Sequence, residues 1–334
     1  MSLGDWARLT ALLGRLGREP ATVARDGRAR QERDVTLAGL RCDLFLPSPR
    51  PRQLVVALHG VTVNGKDDAR LQHFARCLSL SGALCVVPNL PRLTQLAFDT
   101  SDLGALAALV QQTARRYGRR VGLVGFSYGA SYALLAAARP DIASQVAFVL
   151  AVGGYASLPA LEDFDVSLSD GALTGDAAWD DYVYLHLVCA RRHADALGLS
   201  AELRADCDSL LRRYCGGADL AQKKAFYRSR LKPLDAVRFD YQRRDAEMAR
   251  ALSPAGQLSG LACGAAIVHD PRDTLVPATH ARQLYDELRR LPGGERHRLL
   301  VTSLLRHVSL EGALKPAEVV ELLRVFSVLV REDG

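Results

Sequence analysis

The sequence predicts an α/β protein built on a mostly parallel, doubly wound sheet of about eight strands. Short apolar runs alternate with longer segments whose apolar residues recur at helical spacing, over residues 54–152 and again over 264–331. This alternation is typical of right-handed strand–helix–strand crossovers, which produce parallel sheets. A stretch without strand patterns, 155–253, interrupts the alternation after the sixth strand.

The composition indicates a globular protein with a large core. The chain has 334 residues, 49% of them hydrophobic, which suffices for one large domain with an insertion or for two modest domains. The net charge of +6 comes mostly from scattered arginines, with no basic run interleaved with aromatic residues. We therefore expect no nucleic-acid partner.

The seven cysteines are dispersed, without the spacing of a metal site. Several lie in apolar runs, where a free thiol behaves as a small hydrophobic side chain. No stretch approaches the roughly 18 apolar residues of a membrane span, and no signal peptide is recognisable. We therefore expect a cytoplasmic protein in a reducing compartment.

Residues 1–33 are predicted to form an N-terminal helical extension. Five apolar residues recur there at helical spacing: Trp6, Leu9, Leu12, Leu13 and Leu16. We expect this helix to pack on the core, the alternative being a helix for a membrane surface or a partner. A hairpin follows, with strands at 35–37 and 40–46, so the sheet begins antiparallel.

The core is predicted to comprise residues 34–154 and 254–334. Further strands are expected at 54–58, 83–87, 145–152, 264–269 and 298–302, and one from residue 121 to the turn around Ser127. Helices are expected at 69–81, 101–117, 279–291 and 316–331, and one from the turn around Ser127 to about residue 139. Asp67 or Asp68 should cap the first of these helices, and Ser101 or Asp102 the second.

Residues 155–253 are predicted to form a helical cap, or lid. Helical spacing recurs at 179–197, 201–214, 220–230 and 242–252. Because this insertion follows a strand, it should lie over the carboxyl ends of the strands, where open α/β sheets bind ligands. Its acidic first part lacks the regular spacing of a calcium loop, so we expect a solvated loop there.

A Gly-x-Ser-x-Gly pattern at 125–129 lies between a predicted buried strand and a predicted helix. A serine at such a sharp turn has a strained backbone and an exposed hydroxyl, and the flanking glycines let neighbouring backbone pass without Cβ clashes. The helix directs its free N–H groups at charge that develops beside the serine. We therefore predict that Ser127 is a nucleophile rather than an ordinary loop serine.

A serine nucleophile needs a base, which must lie at the sheet edge where the serine emerges. His307 follows the last predicted strand and meets this requirement, while His269, which closes its own strand, is the alternative. Structural roles are expected for the other six histidines, with His59 shaping the loop after its strand: His59, His73, His186, His193, His280 and His297.

The base in turn needs an orienting carboxylate. Asp270 and Asp273 both follow the strand that ends at His269. We prefer Asp273, which lies one turn further out, and the alternative role of Asp270 is to cap the loop. The order along the chain is then nucleophile, acid, base.

The oxyanion formed on acyl transfer needs two N–H donors. We expect one from Tyr128, the residue after the nucleophile, and one from Val61, which follows a turn at Gly60. Thr62 and Tyr155 are candidates for contact with the substrate.

With these residues identified, the chain resembles the α/β-hydrolase superfamily over residues 34–154 and 254–332. The motifs occur in the family order: His59-Gly60, Gly125-x-Ser127-x-Gly129, Asp270-x-x-Asp273-x-x-Val276-Pro277 and the late His307. The resemblance implies an α/β-hydrolase fold with a cap after the sixth strand. It also implies a triad of Ser127, Asp273 and His307, and an oxyanion hole at Val61 and Tyr128.

Two departures from the family pattern stand out. Asp270 occupies a position where the family often has glycine, which bears on the choice of the acid. The oxyanion stretch is His59-Gly60-Val61-Thr62 rather than the His-Gly-Gly-Gly of many lipases.

The sequence therefore predicts a serine hydrolase that cleaves a small-molecule carboxylic ester through an acyl-serine intermediate, without metal or organic cofactor. Thioester, amide or lactone hydrolysis and acyl transfer use the same triad and stay open as alternatives. A catalytically silent binding or scaffold protein with this fold is an alternative of another class, and lipid hydrolysis at a membrane is a third. No oligomeric state is predicted.

Overall fold

An eight-stranded sheet forms the centre of this computed structural model. The structure describes residues 2–26, 28–48, 50–161, 175–195, 197–214, 218–232, 246–310 and 316–330. The strands of the sheet are β1 (Arg30–Leu37), β2 (Leu40–Leu46), β3 (Gln53–Leu58), β4 (Ala83–Pro88), β5 (Val121–Phe126), β6 (Val146–Val152), β7 (Gly264–His269) and β8 (Arg298–Val301).

The strand order across the sheet is β1-β2-β4-β3-β5-β6-β7-β8. The hairpin of β1 and β2 is antiparallel, and β2 also pairs antiparallel with β4. All the other pairs are parallel, so β3 to β8 end at one edge of the sheet. The predicted fold class, a doubly wound and mostly parallel sheet with an antiparallel start, is confirmed.

Helices cover both faces of the sheet, and others form the insertion. The helices are α1 (Leu3–Leu16), α2 (Pro20–Ala24), α3 (Ala69–Leu80), α4 (Pro91–Thr94), α5 (Ser101–Tyr117), α6 (Tyr128–Ala137), α7 (Gly175–Arg192), α8 (Ala201–Arg213), α9 (Leu220–Phe226), α10 (Ala246–Ala251), α11 (Ala278–Arg290) and α12 (Pro316–Phe326). A π-helical turn, Tyr227–Leu231, follows α9. None of the described helices combines the length and apolar character that crossing a bilayer requires.

The hydrophobic core has two layers because successive strand residues point to opposite faces. In β3, Leu54, Val56 and Leu58 join the layer under α5, α6 and α11, which continues into α7 and α8. Val55 and Ala57 join the layer under α1, α3 and α12. The six cysteines in the described ranges are free thiols, all buried.

Two predicted helix caps have different outcomes. Asp68 caps α3, since its carboxylate accepts the Arg70 and Leu71 N–H groups at 3.0 and 3.4 Å. The prediction that Ser101 or Asp102 caps α5 is wrong, because α5 follows Thr100 with no side-chain cap. The buried Asp102 carboxylate instead accepts the N–H groups of Arg92 and Leu93 at the start of α4, which lack helical partners of their own.

The insertion, residues 155–253, contains α7 to α10 and no strand in its described part. Its two ends meet at a neck beside the core, where the Ala255 N–H donates to the Ala156 carbonyl at 2.9 Å. Ser253 Oγ also accepts the Leu158 N–H at 2.8 Å. The acidic stretch 162–170, the beginning of the helix expected at 242–252, and Cys215 lie outside the described residues.

The N-terminal helix packs on the core as expected. Leu9 and Leu12 of α1 are fully buried beside α3, whereas Leu3 is 90% exposed. The first strand, β1, already begins at Arg30, inside the range 1–33 that the sequence assigns to the extension. The N-terminal segment therefore supplies core side chains in addition to the edge of the sheet.

We expect Leu12→Ala to lower the free energy of unfolding by about 2–5 kcal/mol, because it opens a cavity between α1 and α3. Leu3→Ala, on the same helix, should change it by less than about 0.5 kcal/mol. Urea unfolding followed by circular dichroism measures both. Equal effects of the two substitutions would contradict the packing of α1 on the core.

Candidate active site

Ser127 lies at a strained turn between β5 and α6. Its φ of 54° and ψ of −126° are unusual for an L-residue, and its N–H donates to the Val152 carbonyl at 2.8 Å. A Cβ on Gly125 would lie 2.1 Å from the Gly129 carbonyl oxygen, and one on Gly129 would lie 2.4 Å from the His59 carbonyl oxygen. Only glycine fits at either position, which is the steric reason for the Gly-x-Ser-x-Gly spacing.

The loop after β3 lies directly against Ser127. A Cβ on Gly60 would be 2.8 Å from Ser127 Cβ and 3.4 Å from its Oγ. Val61, the next residue, is buried, and its carbonyl accepts a hydrogen bond of 2.6 Å from the Tyr184 hydroxyl of α7. The predicted oxyanion loop is therefore next to the serine and is held from above by the insertion.

His59 holds this loop through a defined tautomer. The Leu90 N–H donates to His59 Nε2 at 3.0 Å, so Nε2 is the acceptor. Nδ1 then carries the proton and donates to the Gly60 carbonyl at 2.7 Å. Burial lowers the pKa of His59 and keeps the ring neutral. These are contacts of the loop-shaping kind predicted for His59.

Lys66, at the far end of the same loop, forms a buried ion pair that the sequence analysis missed. Its Nζ lies 2.8 Å from Asp43 Oδ1 of β2, 3.1 Å from Asp34 and 3.2 Å from Asp67. Burial opposes the lysine charge, but these carboxylates outweigh it and raise the pKa of Lys66. The pair ties the loop to the antiparallel edge of the sheet, and a single lysine in a loop carries no pattern from which to predict it.

His307 sits at a two-residue turn between two short strands, β9 (Leu305–Arg306) and β10 (Ser309–Leu310). Its φ is 51°, a left-handed conformation, and its Nδ1 lies 2.6 Å from Asp273 Oδ2. The imidazole side chain is only 12% exposed. Burial by itself lowers the pKa of His307, but the charge and hydrogen bond of Asp273 outweigh it and raise the pKa.

Asp273 is held as an ionised acceptor. Its Oδ1 accepts the N–H groups of Leu275 and Val276, both at 2.9 Å. Burial acts to raise the pKa of Asp273, but the charge and hydrogen bond of His307, the charge of His269 and the Val276 N–H outweigh it and lower the pKa. The buried carboxylate is therefore suited to orient the imidazole and to stabilise its charged form.

The rival residues have other partners. His269 is fully buried, with its Nε2 2.8 Å from the Val276 carbonyl and 3.4 Å from Asp273 Oδ2, so it lies behind the acid. Asp270 accepts the Arg272 N–H at 2.9 Å, as a loop cap does. The structure therefore joins His307 to Asp273 and not to Asp270.

Ser127 and His307 both lie close to the turn at the end of β6. The serine N–H binds the carbonyl of Val152, and a Cβ on the following Gly153 would lie 3.3 Å from both Nδ1 and Cε1 of His307. The hydroxyl, the imidazole and the carboxylate are thus brought to the carboxyl ends of neighbouring strands, β5 to β8, as predicted from the chain order.

Tyr128 begins α6 directly after Ser127, as an oxyanion donor in such a turn does, and its ring supports the turn. The ring stacks on Phe98, with centroids 4.8 Å apart, and meets Tyr155 edge-on at 4.8 Å. Tyr155 is fully buried, with its hydroxyl donating to the Leu252 carbonyl, and the Thr62 hydroxyl accepts the Asn64 N–H. Both candidates for substrate contact thus have structural bonds, and their contact with a substrate stays a prediction.

Two further buried histidines, His280 and His297, accept hydrogen bonds from backbone N–H groups. His280 Nδ1 accepts the Ala156 N–H, and His297 Nδ1 accepts the Ala265 N–H. Burial lowers the pKa of each to about 4. The described residues hold no group of three or more histidine, cysteine or acidic side chains arranged to bind a metal ion.

We expect Lys66→Met to lower the free energy of unfolding by about 3 kcal/mol, because Asp43 loses the cation that lies closest to it. Arg33, 3.7 Å from Asp43, limits the loss. The exposed Arg139–Asp141 pair is the control, and Arg139→Met should cost less than about 1 kcal/mol. Urea unfolding measures both, and a double variant, Lys66→Met with Asp43→Leu, should recover most of the loss.

The structure is similar to several solved structures. An esterase from Pyrococcus furiosus has a TM-score of 0.52 at 14% identity, with 95% of both chains covered. A protein from Thermus thermophilus has a TM-score of 0.51 at 18% identity, covering 91% of this chain and 98% of its own. An acylaminoacyl peptidase, solved with a peptide chloromethyl ketone, has a TM-score of 0.50 at 14% identity, covering 92% of this chain and 42% of the peptidase.

These likenesses concern the fold, since each identity is below 20%. No family model matches the sequence, and no curated protein matches it either. The chain has the α/β-hydrolase fold, as its motifs indicated.

Proposed function

We propose that this protein is a serine hydrolase that cleaves carboxylic esters of small molecules. The observation that carries the proposal is the 2.6 Å hydrogen bond between His307 Nδ1 and the buried Asp273, next to a strand–helix turn that strains Ser127. A protein that does not use a serine nucleophile has no need for a strained serine near an oriented imidazole.

In this mechanism Asp273 occupies Nδ1 of the imidazole, so His307 Nε2 acts as the base. Nε2 takes the proton from Ser127 Oγ as the oxygen attacks the ester carbonyl. The N–H groups of Val61 and Tyr128 stabilise the oxyanion. His307 then protonates the leaving alcohol, and the acyl-serine is hydrolysed by a water that His307 activates.

The names of the structural neighbours, an esterase and a peptidase, suit ester or amide bonds. We propose the ester because an alcohol is a better leaving group than an amine, so that the serine, imidazole and carboxylate described above suffice to cleave it. The insertion, 155–253, serves in this proposal as a cap that limits substrate size, and the protein works in the cytoplasm without a cofactor. Matched p-nitrophenyl ester and p-nitroanilide substrates separate the two activities.

We expect Ser127→Ala to lower kcat/KM for p-nitrophenyl hexanoate by at least about 10⁴-fold, since no other group replaces the nucleophile. The same variant should lose labelling by a fluorophosphonate probe. Ser209→Ala, at an exposed position of α8, is the control and should keep both properties. Absence of labelling and of hydrolysis in the wild type between pH 6 and 9 would instead favour a catalytically silent binding protein.

We expect the acid limb of kcat/KM to lie above pH 6.5, the ordinary pKa of histidine, because Asp273 raises the pKa of His307 and only the neutral imidazole accepts a proton. Activity should therefore fall as the pH drops through this raised pKa. In Asp273→Asn the limb should move to lower pH and kcat should fall by about 10⁴-fold.

Asp270→Asn is the matched control for this experiment. Its carboxylate contacts Arg272 rather than the imidazole, so the acid limb should stay where it is. If Asp270→Asn shifts the limb and Asp273→Asn does not, the assignment of the acid is wrong.

A further inference from the structure

Helix α7 presents one face to the proposed active site. Asp181, Tyr184 and Arg192 are three and eight residues apart along α7, a spacing that keeps them on one face of an α-helix. Asp181 accepts a hydrogen bond from the Thr274 hydroxyl, on the loop that carries the acid. Tyr184 donates to Val61, and Arg192 lies over the ring of Phe98. The helix thus crosses the site from the acid loop, past the oxyanion loop, to the segment before α5.

Arg192 ends a stack of side chains that begins next to the serine. Its guanidinium carbon is 4.1 Å from the centroid of Phe98. Phe98 stacks on Tyr128 with nearly parallel rings, 6° apart, and Tyr128 follows Ser127 in the chain. A positive charge therefore lies at the far end of two stacked rings, the second of which belongs to the residue after the proposed nucleophile.

The guanidinium of Arg192 has no carboxylate partner among the described residues, although acidic groups are close by in the chain. Asp99, beside Phe98, is engaged by Arg92 and by the Ser101 N–H. Arg191, the preceding residue of α7, is paired with Asp208 at 2.6 Å. A guanidinium stacked on an aromatic ring keeps its N–H groups directed outward in its plane, where they match the two oxygens of a carboxylate.

We propose that Arg192 is an anion subsite, so that the ester cleaved at Ser127 carries a carboxylate at its far end. This inference rests on the proposed hydrolase function and adds the class of substrate to it. The charges along α7 support one orientation, because Asp181, which is bonded to the loop that carries Asp273, places a negative charge at the His307 end of the helix and repels an anion there. The carboxylate of the substrate is directed away from His307, along the Tyr128–Phe98 stack, to Arg192.

The test compares esters that differ only in terminal charge. On the acyl side, p-nitrophenyl hexanoate is paired with the mono-p-nitrophenyl ester of adipic acid, which has the same six-carbon acyl chain. On the alcohol side, the hexanoyl ester of methyl 4-hydroxybenzoate is paired with that of 4-hydroxybenzoate. The ratio of kcat/KM, anionic to neutral, is measured in each pair for the wild type, Arg192→Gln and Arg191→Gln.

We expect Arg192→Gln to lower kcat/KM for the anionic ester of one pair by about 10- to 100-fold, because the substrate carboxylate loses a charge-assisted hydrogen bond. Its neutral partner should change by less than about twofold. Arg191→Gln should leave the ratio as in the wild type, since Arg191 is held by Asp208. Arg192→Glu should reverse the preference, in favour of the p-nitrophenyl ester of 6-aminohexanoic acid over the adipic monoester.

The two proposals fail in different ways. Hydrolysis of both pairs with a ratio that does not respond to Arg192→Gln overturns the anion subsite and leaves the hydrolase intact. A ratio that responds equally to Arg191→Gln also overturns it, because the effect is then one of net charge. If no ester is cleaved and the probe does not label Ser127, the hydrolase proposal fails and the subsite falls with it.

Discussion

The close approach of two backbone segments determines the geometry of the whole site. The turn after β5 crosses the end of β3 so tightly that Gly129 has no space for a Cβ beside the His59 carbonyl. The same crossing presses Gly60 against Ser127 and forces the serine into its strained conformation. The proposed nucleophile and the proposed oxyanion loop are therefore set in place by one packing contact, which the parallel pairing of β3 with β5 maintains.

Most of the fold follows from local patterns in the sequence. The runs that form β3 and β4 are almost wholly apolar. This pattern is typical of a strand in the centre of a parallel sheet, and both strands are indeed buried on both faces. Element ends were predicted less well, because they depend on contacts from elsewhere in the chain. Asp102 has the sequence signature of a helix N-terminus, yet it turns to the free N–H groups of another helix that its own segment cannot reveal.

The site was predictable to the extent that strand order fixes position. Ser127, Asp273 and His307 each follow a strand of the parallel sheet, so topology alone brings them to one edge. Position in the chain favours Asp273 over Asp270 only weakly, because both follow β7, and hydrogen-bond geometry separates them clearly. Lys66 and Tyr184 escaped prediction for a different reason, since their partners are 23 and 123 residues away in the chain.

In the proposed hydrolase, the hydrogen bond from Tyr184 to the Val61 carbonyl links substrate selectivity to turnover. A helix above the site that only restricted access would tolerate replacement by a shorter or differently shaped segment. Here the same helix braces the peptide next to the proposed oxyanion donor, so remodelling it to admit a new ester also alters the catalytic step. Directed evolution towards other substrates should therefore find its useful substitutions on the side of α7 that avoids this tyrosine.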